Sequence, residues 1–113
     1  MSSLPDVQTY YAELIRELDR GTAPRTYGAR AADDGTDWLF EAVWHEREWV
    51  VVRQLGVRED GEITRYWWQR VADDAGMLTD TALDREAWGL RELSREDFYA
   101  AWDESELWAT PQY

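Results

Sequence analysis

The chain has 113 residues, enough for one domain with its own core and no need of a metal or disulfide staple. It has no cysteine, which removes disulfides, thiolate nucleophiles and Cys-ligated zinc together. Its 24 acids against 12 arginines give a formal charge of −12, which repels phosphate and argues against direct nucleic-acid binding.

The charge is uneven. Residues 1–36 and 37–71 each carry a net −2, whereas residues 72–113 carry 11 acids and three arginines, a net −8. A basic partner would be drawn to that end. Every basic residue is Arg, as planar bidentate recognition would favour. A GC-rich coding sequence gives the same bias, and a saline host would give both the acidity and the missing lysine. Eight Trp and six Tyr exceed what one small core holds, so some aromatics belong near the surface. Met1–Asp6 has no basic residue and no apolar run, so it does not read as a signal peptide. No apolar run approaches the length of a membrane span. A cytoplasmic protein is the expectation.

Ser3-x-x-Asp6 with Pro5 reads as a capping box. Val7, Tyr10, Tyr11, Leu14, Ile15 and Leu18 follow at helical spacing, and Gly21 is placed as the C-terminal cap. This predicts a helix over 4–20. Gly21, Pro24, Gly28 and Gly35 predict a loop over 21–36, with Asp33-Asp34 as a solvated turn. Three strands are predicted next, Trp38–Trp44, Trp49–Leu55 and Ile63–Val71, with turns at Glu46-Arg47 and Asp60-Gly61.

Simple pairing about those turns sets Trp44 opposite Trp49, Ala42 opposite Val51 and Phe40 opposite Arg53. It also sets Arg53 opposite Trp68, Leu55 opposite Tyr66 and Val51 opposite Arg70. One sheet face then carries Trp38, Phe40, Trp44, Trp49, Tyr66 and Trp68 with Arg53 and Arg70, an aromatic–arginine ladder suited to cation–π stacking. The other carries Leu39, Val43, Val50, Val52, Ile63, Trp67 and Val71 as core. A slip of one residue would exchange the faces.

Residues 72–92 read as irregular, with room for a short strand at Met77–Thr81 or Leu90–Leu93. Asp80 and Asp84, four apart, read as a solvated face. Ser94-Arg95-Glu96-Asp97 is a second capping box, Leu93 and Phe98 form a hydrophobic staple, and Phe98, Ala101 and Trp102 make the buried stripe of a closing helix. Leu107 and Trp108 are placed after it, before Thr110-Pro111. The expected fold is a single α+β domain over 1–113, an antiparallel three- to four-stranded meander flanked by an N-terminal and a C-terminal helix.

Two segments resemble a known group. Glu48–Arg53, running on to Arg58–Arg65, is similar to the central hairpin of small uncharacterised bacterial proteins of immunity type. Leu93–Trp102 is similar to their closing Ser-x-Glu-Glu-Phe-x-x-x-Trp helix. The resemblance covers about a third of the chain and implies inhibition of a secreted toxin. It carries over no functional residue.

The chemistry of catalysis is sparse. His45 is the one histidine and falls in a turn beside Glu46, Ser94 has a capping role, and no serine lies in a nucleophile elbow. No glycine-rich phosphate loop is present, and no metal or cofactor is expected. The reading that follows is a non-enzymatic acidic binding protein, an inhibitor or immunity-type protein that blocks a basic nuclease, toxin or defence enzyme, with a DNA mimic as a variant. Trp44, Trp49, Arg53, Trp68, Arg70, Asp103, Glu104 and Glu106 are the expected partner-binding residues. The partner is expected to be a basic-surfaced protein, with no nucleic acid or membrane, and the chain a monomer or homodimer. The alternatives are a small ligand-binding module on the aromatic–arginine face and a structural interaction domain.

Overall fold

A computed structural model describes residues 7–73 and 76–109. Helix α1 spans Val7–Arg20, and Gly21 N–H donates to the Leu18 carbonyl where it ends. The first capping box lies outside the described residues. Strands β1 (Arg25–Ala31), β2 (Asp37–His45), β3 (Glu48–Val57) and β4 (Ile63–Tyr66) follow as consecutive antiparallel neighbours. Two short strands, β5 (Ala72–Asp73) and β6 (Gly76–Met77), pair with each other. Helix α2 (Arg85–Trp88), strand β7 (Arg91–Glu92) and helix α3 (Arg95–Ala109) complete the order. The main sheet has five strands in the order β4-β3-β2-β1-β7. The chain is thus α+β, a meander flanked by an N-terminal and a C-terminal helix.

Turn chemistry fixes the meander. Glu46 and Arg47 alone separate the paired residues His45 and Glu48, and both adopt positive φ, 49° and 70°. That is the primed two-residue turn whose twist matches a hairpin. At the next turn Asp60 accepts from the Glu62 N–H at 2.9 Å, and Gly61 takes a φ of 91°. Ser94 caps α3, accepting from the Asp97 N–H at 3.0 Å.

Four expectations change. Residues 25–31 form β1, where a loop was expected. The pairing of Ala32 with Thr36 and the positive φ of Gly35 turn Asp33-Asp34-Gly35 into the hairpin that returns the chain into β2. The third strand ends at Tyr66, and a tight turn bridges Trp67 to Arg70. The chain stays helical through Ala109, beyond the expected close of the last helix. The fourth change is register. Trp44 pairs with Trp49 and Ala42 with Val51 as expected, but Glu41 pairs with Arg53, leaving Val52 as the extra residue of a β-bulge. Phe40 therefore faces Gln54. On the other edge Gln54 pairs with Tyr66 and Leu55 with Arg65, one residue from the expected match.

The bulge redistributes the faces. One face carries Leu39, Glu41, Arg53 and Leu55, and closes with Ala29, Ile63, Phe98 and Trp102 under α3. The other carries Trp38, Phe40, Ala42, Gln54 and Tyr66, and packs on Leu78, Leu83 and the part-buried Trp88 and Leu90 of the 71–90 segment, with Ile15 of α1.

Candidate functional site

Seven of the eight expected partner-binding residues fall into three places. Trp44 and Trp49 meet edge to face, centroids 5.0 Å apart, at the β2–β3 hairpin tip, where Trp44 is 42% exposed. They line an open groove of about 460 Å³ with Arg47, Leu83 and Arg85. Trp68 and Arg70 lie on the turn after β4. Arg16 of α1 stacks 4.9 Å over the Trp68 ring, and Arg70 pairs with Asp73 at 3.4 Å. Asp103, Glu104 and Glu106 stand exposed on α3.

Arg53 is with none of these. The aromatic–arginine ladder does not form around it, because the bulge turns its side chain to the α3 face. There its Nη1 donates to Glu41 Oε1 at 3.0 Å and its Nη2 meets Asp19 at 2.8 Å. Its guanidinium lies 5.3 Å from the Trp102 ring centroid and 5.6 Å from that of Tyr99. Arg65 stacks on the same indole at 4.1 Å.

Glu41, wholly buried, centres this network. Tyr99 and Tyr27 donate to it at 2.7 and 2.8 Å, and Arg25 reaches it at 3.3 Å and Asp19 at 3.0 Å. Burial pushes the Glu41 carboxyl up, but the donors Tyr99, Tyr27 and Arg53 together outweigh it and hold the group below its ordinary range. Burial, then the hydrogen bond to Glu41, pushes the Tyr99 phenol well up. The network ties α1, β1, β2, β3 and α3 together, and its carboxylate is closed off from any substrate.

The aromatic face keeps an opening of its own. A cavity of about 370 Å³ is lined by Trp38 and Phe40 of β2, Trp88 of α2, Arg30 and Ala32, Gln54, and Thr79 and Thr81. Register explains the set. Arg30 pairs with Trp38 across β1–β2, and Trp38 with Gly56 across β2–β3, so the Arg30 and Trp38 side chains share one face and Gly56 leaves it bare beside them. A Cβ at Gly56 would lie 2.9 Å from the Trp38 ring, so only glycine lets the indole lie across β3. Phe40 and Trp88 meet edge to face at 5.3 Å. Gln54 is held at both ends, donating to the Met77 carbonyl at 3.0 Å and accepting from the Thr79 N–H at 2.9 Å. Arg85 anchors α2 on β1 through the Tyr27 carbonyl at 2.7 Å.

His45 Nε2 lies 3.6 Å from Glu46 and lines a small cavity of about 130 Å³ with Tyr11 and Asp80. Tyr11 donates to the Thr79 carbonyl, and its phenol is pushed up to about 12 by burial and then by Asp80 and Glu48. Asp84 caps α2, accepting from the Glu86 and Ala87 N–H groups, and does not share a helix face with Asp80. Among the described residues no three His, Asp or Glu side chains gather as a metal site, and no helix is long and apolar enough to cross a membrane.

The sequence reading missed Arg30, Thr79, Thr81 and Trp88. Arg30 was within reach: Asp33-Asp34-Gly35 ahead of Trp38 is a hairpin signal, and pairing across it puts Arg30 beside Trp38. The other three depend on how the 78–90 segment folds over the sheet, which has no periodic pattern. Comparison with protein-family models, curated proteins and solved structures found no match for this chain.

Proposed function

We propose that the chain is a non-enzymatic binding protein that occupies the basic surface of another protein, as an inhibitor or immunity-type protein does. One observation carries the reading. Most of the arginines meet a carboxylate or an aromatic ring, while the carboxylates of α3 stand exposed. Arg25 and Arg53 are held by Asp19 and Glu41, Arg91 by Asp37, Arg85 by Glu92, and Arg65 lies against Trp67 and Trp102. Along α3, Glu96, Asp97, Asp103, Glu104 and Glu106 are all exposed, and the helix has a single basic residue, Arg95. Glu96 and Asp97 stabilise the first turn through the helix dipole, but Glu106 stands in the last turn, where a carboxylate is unfavourable. Glu106 meets Arg65 there at 3.9 Å, whereas Asp103 and Glu104 on the preceding turn make no ion pair within 4 Å among the described residues, and exposed acids of that kind suit a cationic partner.

The test is kinetic. A partner captured from host lysate is purified, and its association is timed with wild type and with the D103K/E104K/E106K variant. The expected result is an association rate lowered by about tenfold or more at low salt, a flatter salt dependence, and unchanged far-ultraviolet dichroism. An unchanged on-rate at low salt would remove acidic steering from the account.

A further inference from the structure

We infer that the cavity walled by Trp38, Phe40 and Trp88 is a binding site for a small planar anion, an aromatic ring carrying a carboxylate, with Arg30 as its counter-ion. The inference stands apart from the partner reading, since the acids of α3 take no part in it.

Three observations converge on this chemistry. The first is shape. A cavity of about 370 Å³ is of the size that holds a one- or two-ring molecule, and its walls are ring faces and edges. The second is charge. In a chain with twice as many acids as arginines, this cavity is lined by one cation and no carboxylate. Asp80, between the two threonines of the lining, lines the neighbouring cavity beside Tyr11 instead. Arg30 is exposed, and among the described residues it meets no carboxylate within ion-pair distance, unlike Arg25, Arg53, Arg70, Arg85 and Arg91. Its fork of donors is therefore open to a bidentate acceptor. The third is rigidity. Both ends of the Gln54 amide are engaged, Gly56 seats the Trp38 indole against β3, and a Cβ at Gly28 would come within 2.9 Å of Leu90 in the segment that roofs the face. A site already built loses less ordering entropy on binding.

A neutral aromatic would use the walls alone, and an aliphatic anion the arginine alone. Only a ring with an attached carboxylate uses both, with the Thr79 and Thr81 hydroxyls beside it as further donors.

The probe is naphthalene-1-carboxylate, with naphthalene-1-carboxamide as its neutral twin, each titrated into the full chain. Indole N–H resonances and calorimetry are followed together. The carboxylate should bind with a Kd of about 0.1–1 mM, the range for a molecule of this size, and should shift the Trp38 and Trp88 indole signals first. The carboxamide should bind about tenfold more weakly. Arg30→Gln, on an exposed side chain, should keep the melting temperature and bring the carboxylate down to the affinity of the carboxamide. Trp88→Phe should weaken both ligands alike. The proposal is overturned if neither molecule binds at about 10 mM. It is overturned equally if the two bind alike and ignore Arg30→Gln, or if the shifts concentrate on Trp44 and Trp49.

Discussion

Neighbouring residues of one strand, Phe40 and Glu41, meet opposite surroundings. Glu41 is sealed under α3 with five donors and acceptors of four other elements around it, and Arg53 and Arg65 bracket the Trp102 ring above it. Phe40 looks into a face roofed by the short helix α2 and irregular chain, where a cavity stays open. A continuous helix can lay a row of side chains over a sheet and close it. A segment held by point contacts, such as the Leu83 N–H on the Trp49 carbonyl and Arg85 on Tyr27, leaves gaps. Closure and opening are thus divided between the two faces, with the buried ion pairs on the closed one and Arg30 on the open one.

The division makes the closed face the more sensitive. Glu41→Leu leaves Arg25 and Arg53 with Asp19 as their one carboxylate and takes the acceptor from Tyr27 and Tyr99, and should cost about 3–5 kcal/mol, whereas Gln54→Leu on the open face should cost about 1–3 through two unpaired backbone groups. Chemical denaturation of both variants measures the difference. An equal cost would mean that the network under α3 is no firmer than the contacts opposite. The tryptophans sharpen the same comparison. Trp102→Ala removes a buried indole that four side chains contact and should cost about 3–5 kcal/mol. Trp88→Ala, half-buried at the edge of a cavity already open, should cost about 1–2 kcal/mol.

The pH dependence tests the network as a charged object. The Glu41 carboxyl titrates below its ordinary 4.5 in the folded chain. Its contribution is therefore full above that value and is lost as pH falls through the lowered one. At the other end Tyr66 and Tyr11 are pushed up to about 12, each by burial first, with Asp73 next for Tyr66 and Asp80 for Tyr11. Their contribution is present below pH 10 and is lost as pH rises towards 12. Subtracting the stability curve of Glu41→Gln from that of wild type should leave an acid limb with its midpoint below 4.5. A difference that is flat from pH 3 to 7 would show that Glu41 acts through shape alone.

Much of this architecture could be read from residue order. Helical spacing from Tyr10 to Leu18, the Ser94 cap, the Glu46-Arg47 turn and the antiparallel meander all rest on interactions between residues near in sequence. The faces could not be read beyond Ala42, because one extra residue at Val52 turns Arg53 over, and a bulge has no signature in a run of valines. Strand β1 escaped because Arg25–Ala31 has only Tyr27 as a large apolar residue and carries Gly28 at its centre; pairing with β2, not propensity, makes it a strand. Of the expected aromatic–arginine face Trp38, Phe40 and Tyr66 stay together; Arg53 lies on the opposite face, and Arg30 of β1 stands beside Trp38 instead. The cavity itself brings the Arg30–Phe40 hairpin and Gln54 against Thr79, Thr81 and Trp88 from far along the chain, and no local pattern encodes it.

The smallest expected effect concerns the hairpin tip, where the two faces meet. Glu46 and Arg47 both hold positive φ, which costs a residue with a Cβ about 1 kcal/mol. Asn-Gly suits the same turn without that cost, so E46N/R47G should raise stability by about 0.5–2 kcal/mol, less the weak contact of Glu46 with His45. Thermal unfolding reads the gain, and a loss would mean that the two side chains hold the turn rather than strain it. Arg47 also lines the groove beside Trp44, the most exposed of the described tryptophans, together with Glu48, Asp84 and Glu86. If the variant gains stability and binds its protein partner more weakly, the strained turn belongs to the partner surface, as an aromatic–arginine patch at a hairpin tip would. If it gains stability and binds unchanged, partner contact rests on α3 alone, and the tip is only where β2 turns into β3.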